Sequence, residues 1–403
     1  MNNKFLTILI FIFSMNLVHA AQNITVYGGG SSKTKLAILG ATDPDIIQEI
    51  SFDLTLSGDI SIEKLDDIEK IIKNNAPYNL KLKITDEYDH KILSYILQQN
   101  FTNKILLRRS MAFHNNTQRK VIHTMDNAVY QAIVHSPAAF NSKIAIIVKN
   151  SDRYHLIVSD YDGYNAATIL KTKTPISSLA WSKDNSQLAY VFYGANKPVV
   201  YTQNITTGVR TLVAAFDGSN SSPVFIGNNK LLVTLSKDEV SHLYAIDNNA
   251  YTVNKTAVPI MVFGEIDTEA DISSDGRIVF TSDYEGEPQI FITDENMKSP
   301  MKLTDMIGKH LTTARFSQDG SKIVLVKKEN GFRTFYYDLK SKSISCISEG
   351  QSDLAPSFAP DNKMVLYSSN DTLYISSTVH NKISAIGLQN TPYDEVIDQR
   401  WSN

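Results

Sequence analysis

The sequence predicts a small α/β N-terminal domain followed by an all-β six-bladed β-propeller, closed by N- and C-terminal strands of one blade. The first third of the chain mixes strand and helix patterns, whereas the region after residue 139 contains only short alternating strands. One sequence pattern recurs through that region at the spacing of propeller blades. With 403 residues, 42% of them hydrophobic, the chain is long enough to form both parts.

The first residues, 1–20, have the pattern of a secretory signal peptide. Lys4 precedes an apolar run from Phe5 to Phe13, and small or apolar residues occupy the positions before a cleavage point after Ala20. The alternative is an uncleaved membrane anchor, but the apolar run is about half of the ~20 residues that a spanning helix needs. We therefore expect an exported chain whose residues 21–35 form a flexible N-terminal arm.

Residues 36–139 have the pattern of an α/β domain. Asp43 and Pro44 supply a helix N-cap and a first helical residue, and apolar residues then recur at helical spacing until Ser57 and Gly58. A second amphipathic helix is predicted over residues 119–133. Short strands are predicted over residues 36–39, 80–84, 94–97 and 104–107.

The repeat in residues 140–403 consists of an aromatic or apolar residue, usually a small residue, a short Asp/Asn/Gly turn and an apolar strand. Its copies begin at Trp181, Phe225, Ile272, Phe316 and Phe358, with spacings of 44, 47, 44 and 42 residues. This is the period of a four-stranded propeller blade.

The last copy, at Trp401, contains only the first half of the repeat. Its second half is found at the start of the region, where residues 141–147 match the strand that follows the turn in the other copies. The sequence therefore predicts six blades, with Trp401 paired to Ile144 in a blade built from both ends of the region.

Motifs for chemistry are weak. The glycine-rich segment at Gly28 lacks the glycine that a phosphate-binding loop has before Lys33, and a strand follows it instead of a helix. Asp-Gly turns lack the patterns of sialidase Asp boxes and calcium loops, and no Gly-x-Ser-x-Gly nucleophile elbow occurs. The nine histidines lack metal-ligand spacing, and Cys346 is expected to be a small buried side chain. No catalytic residue, metal ligand or cofactor is predicted, although an active site formed only in three dimensions stays open.

The net charge argues against partners that bind mainly through positive charge on the protein. The formal net charge is -3 and the isoelectric point is about 6.3, so binding to nucleic acid or an anionic membrane through charge alone is disfavoured.

Residues 158–165, VSDYDGYN, resemble a signature of the TolB family of periplasmic propeller proteins, which belong to the Tol-Pal system. The repeats are similar to that family's, especially from Ser274 to Phe291. In the first domain, similar residues are Asp53, Leu54, Ser57, Gly58, His123, Asp126, Val129 and Tyr130.

The resemblance implies a non-enzymatic scaffold in the periplasm of a Gram-negative bacterium, held at the envelope only through its partners. These would be the peptidoglycan-associated lipoprotein Pal at the propeller mouth, TolA at the N-terminal arm, and other outer-membrane proteins. The implied roles are outer-membrane integrity, envelope constriction in cell division and the cell cycle, and protein import.

Site residues also follow from the resemblance. The Pal-facing residues at the starts of the innermost strands are Ser219, Asn220, Ser221, Ser222, Thr268 and Glu269. Ring symmetry adds Thr312, Arg315, Asp353 and Glu395. The arm that would bind TolA contains Ile24, Thr25, Val26, Tyr27, Gly28, Gly29 and Gly30. Its three consecutive glycines depart from the family pattern and predict a more flexible arm.

Two other functions remain open at this level. An exported hydrolase or lyase would place carboxylates or histidines with shifted pKa values in the channel. A carbohydrate-binding propeller would display exposed aromatic side chains on one face.

Overall fold

The computed structural model describes residues 33–40, 43–65, 75–252, 254–294, 296–303, 310–380 and 382–403. The predicted signal peptide and nearly all of the predicted arm, including Ile24 to Gly30, lie outside the described residues. No helix in the described ranges combines the length and apolarity needed to cross a membrane.

The N-terminal part contains one five-stranded sheet in the order β2-β1-β3-β4-β5. Strand β1 pairs in parallel with both β2 and β3, and the other pairs are antiparallel. The strands are β1 (Thr34–Leu39), β2 (Ile60–Leu65), β3 (Tyr78–Asp86), β4 (Lys91–Gln99) and β5 (Lys104–Phe113). The helices are α1 (Pro44–Leu56) and α2 (Gln118–Val134), and a 3-10 turn, Asn115–Thr117, precedes α2.

Both predicted helices are present. Asp43 is the N-cap of α1 and its Oδ1 accepts a hydrogen bond from the Asp45 backbone amide at 3.0 Å. His135 ends α2 in the left-handed conformation, with φ of 57°. Strand β1 begins at Thr34, within the segment predicted as arm, so the glycine-rich segment is followed by a strand, as predicted. Strand β2 was not predicted because its short ISIEKL pattern lies close to the helix stop.

The rest of the described chain contains six four-stranded sheets, which are the blades of a propeller. The innermost strands of blades 1 to 6 are β29 (Glu395–Trp401), β9 (Ile176–Trp181), β13 (Ser219–Ile226), β17 (Asp267–Ile272), β21 (Leu311–Phe316) and β25 (Asp353–Phe358). The second strands are β6 (Lys143–Asn150), β10 (Gln187–Tyr193), β14 (Lys230–Lys237), β18 (Ile278–Ser282), β22 (Lys322–Lys328) and β26 (Met364–Ser369). The third strands are β7 (Arg153–Asp160), β11 (Pro198–Asn204), β15 (Val240–Asp247), β19 (Gln289–Ile292), β23 (Phe332–Asp338) and β27 (Thr372–Ser377). The outer strands are β8 (Ala167–Thr172), β12 (Arg210–Ala214), β16 (Val258–Met261), β20 (Met301–Lys302), β24 (Ser343–Cys346) and β28 (Ile383–Ile386).

The ring closes in blade 1, where the last strand, β29, pairs antiparallel with β6. Trp401 lies opposite Ile144, which is the predicted register. The Trp401 indole donates to Ser142 Oγ at 2.7 Å, and its ring stacks on Tyr161 with centroids 6.1 Å apart. Each innermost strand also packs on that of the next blade, so the closure leaves no open seam.

The repeat's turn is a hairpin held by its own side chains. Ser182 Oγ donates to Asp184 at 2.7 Å, and Ser317 Oγ makes the same bond to Asp319. Gly320 adopts φ of 69°, which explains the Asp-Gly pattern. The expectation for Cys346 is wrong: its side chain is exposed because it lies on an outer strand, and its thiol donates to the Ser348 carbonyl at 3.4 Å.

One continuous hydrophobic cluster runs from the N-terminal sheet and helices into blades 1 and 6. It includes Ile50 and Tyr130 from the helices, Ile144 and Trp401 from blade 1, and Leu366 from blade 6. The N-terminal part is therefore packed firmly on one side of the ring.

Candidate partner-binding rim of the propeller

The rim is the propeller mouth at which the innermost strands begin, together with the connections between second and third strands. All predicted Pal-facing residues lie on innermost strands: Ser219 to Ser222 on β13, Thr268 and Glu269 on β17, Thr312 and Arg315 on β21, Asp353 on β25 and Glu395 on β29. Because adjacent innermost strands pack together around the ring, the structure brings these residues to one channel. Arg315 lies deeper than the others, near the end of β21.

A β-bulge interrupts each innermost strand near the rim. In five blades a non-glycine residue adopts positive φ there, between 44° and 59°: Ser178, Ser222, Glu269, Thr313 and Ala355. This conformation is unfavourable for residues with a Cβ and is maintained only where the surroundings enforce it. The sequence carries no glycine signal for these bulges.

Hydrogen bonds between blades hold the bulges in place. The Thr313 amide donates to Glu269 Oε2 at 2.8 Å, and Arg315 Nη1 donates to the Glu269 carbonyl at 3.0 Å. At the junction of blades 6 and 1, Gln399 Nε2 donates to the Ala355 carbonyl at 3.1 Å. Two predicted contact residues, Glu269 and Arg315, therefore fix the shape of the channel wall.

Asn220 and Asp353 do not present their side chains to a partner, because both are fully buried. Asn220 Oδ1 accepts the Phe216 amide at 2.9 Å, and Asp353 Oδ2 accepts the Thr334 amide at 2.8 Å. Asp267 has the same role in blade 4, where it accepts the amides of Phe263 and Gly264. Asn220 and Asp267 position loops that precede innermost strands, whereas Asp353 joins blade 6 to strand β23 of blade 5. Their signal in the sequence is an Asn or Asp at the start of an innermost strand.

Large apolar side chains are exposed around the same rim. Tyr284 is 60% exposed, Leu354 48% and Phe332 45%. Tyr193, Val240 and Ile266 join them. Each lies in or beside a connection between second and third strands, or at the start of an innermost strand. Phe263 stacks on Tyr284 with ring centroids 4.1 Å apart. This contact links the loop before β17 to the connection between β18 and β19. An apolar ring of this kind is typical of a protein-binding surface.

The opposite mouth contains a cavity of about 340 Å³. The repeat aromatics Trp181, Phe225, Phe316, Phe358 and Trp401 line it, but each is at most 7% exposed. Such buried rings offer no platform for stacking a sugar, which disfavours carbohydrate binding there.

Charged groups in the channel are tied to each other and to the backbone. Asp271 accepts the Phe316 amide at 2.8 Å and also Arg400 Nη2 at 2.8 Å. Asp398 accepts the Leu179 amide at 2.8 Å, and burial raises its pKa. The bonds to the Phe316 and Leu179 amides connect neighbouring blades, whereas the bond between Asp271 and Arg400 joins blade 4 to blade 1. All three give the carboxylates structural partners.

A buried ionic cluster joins both N-terminal helices to the β7–β8 connection of blade 1. His123 Nδ1 lies 2.6 Å from Asp53 Oδ2, and its Nε2 lies 3.4 Å from Asp162 Oδ2. Tyr161 donates its hydroxyl to Asp53. Burial opposes the charged imidazole, but the bonds to Asp162 and Asp53 prevail and raise the pKa of His123 to about 10. His123 is therefore an imidazolium between two carboxylates.

Arg119 completes the cluster. Its Nε donates to Asp162 at 2.9 Å, its Nη1 lies 3.3 Å from Glu49, and its guanidinium lies 3.4 Å from the centre of the Tyr164 ring. Burial raises the pKa of Glu49 to about 7, with Arg119 acting in the opposite direction. The cluster explains why the DYDGYN turn and distant helix residues occur together.

Asp53, His123 and Asp162 are close enough to hold a metal ion by spacing alone. However, His123 already bonds to Asp53, and Arg119 occupies Asp162. These side chains are therefore paired with one another, as in a buried salt-bridge network, instead of being arranged as metal ligands.

Comparisons with known proteins agree with this architecture. The sequence profile described as the TolB beta propeller domain matches residues 130–392. The chain belongs to the TolB family. Relatives named Tol-Pal system protein TolB include one from Francisella tularensis subsp. mediasiatica, 28% identical and covering 92% of this chain and 91% of the relative. Another, from Bordetella pertussis, is 35% identical and covers 64% of this chain and 59% of the relative.

A solved structure of TolB from Acinetobacter baumannii superimposes with a TM-score of 0.82 at 26% identity, covering 92% of this chain and 96% of that one. The predicted fold class and family resemblance are confirmed. As a TolB family member, the chain is a non-enzymatic propeller protein.

Proposed function

We propose that this chain is a periplasmic scaffold of the Tol-Pal system that receives the lipoprotein Pal at the propeller rim. The observation that carries the proposal is the ring of exposed apolar side chains around a channel mouth with fixed bulges. A rigid, apolar and partly polar surface binds a folded protein at low entropic cost. The N-terminal helices contact blades 1 and 6 near the opposite mouth, as where Lys363 Nζ donates to the hydroxyl of Tyr130 on α2 at 3.3 Å, so they leave the rim accessible.

We further propose that the exported chain's N-terminal arm, including Ile24 to Gly30, binds TolA. An arm and a rim on separate parts of the chain could contact both partners at once. This arrangement supports the proposed roles in outer-membrane integrity, cell division and protein import. Other outer-membrane proteins are proposed as further partners.

Binding of purified Pal and TolA from the same organism, measured by isothermal titration calorimetry, tests these assignments. Tyr284→Ser removes an exposed apolar contact on the rim and should weaken Pal binding by roughly tenfold while leaving TolA binding unchanged. Val209→Ser is the matched control because Val209 is 63% exposed on a distant outer turn. Removal of residues 21–32 should weaken TolA binding and leave Pal binding unchanged. Equal Pal affinity in the wild type and Tyr284→Ser would contradict the rim contact.

In-cell photocrosslinking from Ser222 and Thr268 tests the partner's identity. We expect a Pal-like lipoprotein in the crosslinked product. Its absence from both positions, with intact protein in the periplasm, would reject the proposed function.

A further inference from the structure

Strand β5 forms an edge of the N-terminal sheet and is ten residues long. In the part of the chain that the structure describes, β5 pairs only with β4, so its outer edge carries unpaired backbone groups. Helix α2 packs against one face of the sheet at β5, but it does not form a strand pair with this edge. An edge strand of this length can accept an added strand through main-chain hydrogen bonds.

The charge around this edge is strongly positive. Strands β3, β4 and β5 contain six basic residues and one acidic residue, whereas the whole chain has a net charge of -3. The basic residues are Lys81, Lys83, Lys91, Lys104, Arg108 and Arg109, and the acidic residue is Asp86. Asp86 lies 3.9 Å from Lys91, at one end of the sheet, and leaves the other cations without an acidic neighbour on these strands.

The strand register concentrates this charge beside the edge. Arg108 lies opposite Ile96, which in turn lies opposite Lys81, so one cross-strand row on the face away from α1 and α2 has cations at both ends. Apolar side chains accompany them: Ile105 is 44% exposed on β5, and Phe101 is exposed in the preceding turn. The surface therefore offers backbone hydrogen bonds, positive charge and apolar contact together.

We propose that the outer edge of β5 binds an extended acidic segment of a protein partner, which adds to the sheet as a sixth strand. A second copy of β5 would bring Arg108 and Arg109 near the same cations, so like charges oppose self-pairing. An acidic strand replaces that repulsion by attraction. A lipid surface could match the positive charge but would leave the strand's backbone groups unpaired. This surface is separate from the propeller rim.

The probe is a labelled ten-residue peptide in which glutamate alternates with threonine and valine, compared with its lysine-for-glutamate counterpart. We expect the full chain to bind the acidic peptide, with affinity that falls as sodium chloride rises from about 50 to about 500 mM. Amide hydrogen exchange should slow in residues 104–113 when the peptide binds. Exchange on the propeller rim should not change.

Variants separate charge from folding. Arg108→Glu with Arg109→Glu should weaken acidic-peptide binding by roughly tenfold, and Arg108→Lys with Arg109→Lys should retain most of it. Lys340→Glu with Lys342→Glu makes the same charge change on an exposed propeller turn and should bind normally. Unchanged circular dichroism in all variants shows that the fold is retained.

Three outcomes would overturn the proposal. One is equal affinity for the acidic and lysine peptides, and another is binding without slower exchange in β5. The third is binding to phosphatidylglycerol vesicles, lost in the Arg-to-Glu variant, with no binding of the acidic peptide. That result would assign the cations to a membrane.

Discussion

Asp126 is fully buried beside Asp53 of the ionic cluster, and its carboxyl group forms a hydrogen bond with the Asp53 side chain. Burial, together with the neighbouring Asp53, raises its pKa well above the ordinary value, so the neutral acid is favoured. An uncharged side chain of the same shape should therefore fit this position well.

Asp126→Asn tests this argument. Because the amide cannot ionise, we expect the variant to be at least as stable as the wild type at pH 5 and more stable at pH 8. Urea denaturation at both pH values measures the difference. A variant that loses more stability at pH 8 than at pH 5 would show that an ionised Asp126 supports the junction.

Glu49 should make stability depend on pH. Its pKa is about 7 in the folded chain, compared with an ordinary value of 4.5 for a glutamate side chain. A raised pKa gives stability that is complete below pH 4.5 and is lost as pH rises through about 7, a change on the order of 3 kcal/mol. Glu49→Gln should flatten the decrease over this window, measured by urea denaturation at several pH values. An unchanged profile would mean that Glu49 does not titrate there.

His123 makes stability fall in the same direction at higher pH. Its pKa is raised from the ordinary value of 6.5 to about 10, so the stability it contributes is lost as pH rises through about 10.

At the scale of elements, strand β29 determines whether blade 1 is complete. Trp401 is buried, its backbone amide donates to Ser357 Oγ at 2.9 Å in the neighbouring blade, and its ring stacks on Tyr161. It therefore connects blade 1, blade 6 and the turn beneath the N-terminal helices.

Trp401→Ala should lower the free energy of unfolding by about 3–5 kcal/mol because it removes a large buried ring and leaves a cavity. Deletion of residues 401–403 should have a larger effect. Chemical denaturation monitored by circular dichroism measures both, and Val379→Ala, an exposed apolar position, is the control. Normal stability without Trp401 would contradict the role of the closure.

The closure could be predicted from sequence because the repeat is local: each copy contains its own turn and strand, and the incomplete copy at Trp401 identifies its missing half. The cluster could not be assembled in this way. Asp53 and His123 are 70 residues apart, and only the packing of α1 on α2 brings them together. Likewise, the exposed apolar rim combines side chains from several blades. The burial of Asn220 and Asp353 depends on packing against residues outside their own strands, which a local sequence pattern does not reveal.

At the scale of the whole molecule, the cluster should couple unfolding of the N-terminal helices to that of the propeller. Asp162 bonds to Arg119 and to His123, and these bonds keep its pKa below the ordinary value despite burial. Removing its charge would leave Arg119 and His123 without that partner.

Asp162→Ala should therefore split a single cooperative unfolding transition into two, with the N-terminal part melting first. Differential scanning calorimetry measures the transitions, and Asp152→Ala provides a surface control because Asp152 is exposed and pairs with Lys173. A single transition at a lower temperature would show that the hydrophobic cluster alone keeps the two parts coupled.

The pairing of β29 with β6 also affects the order in which the chain can fold during the proposed export. Lys143 and Ser402, which bond across this closure, are 259 residues apart. If the chain is exported with its N-terminus first, β6 has no β29 to pair with until nearly all later residues have crossed the membrane. During that interval an apolar strand is open to pairing with other chains. Efficient production of this protein should therefore depend on periplasmic chaperones that protect the first blade until the last strand arrives.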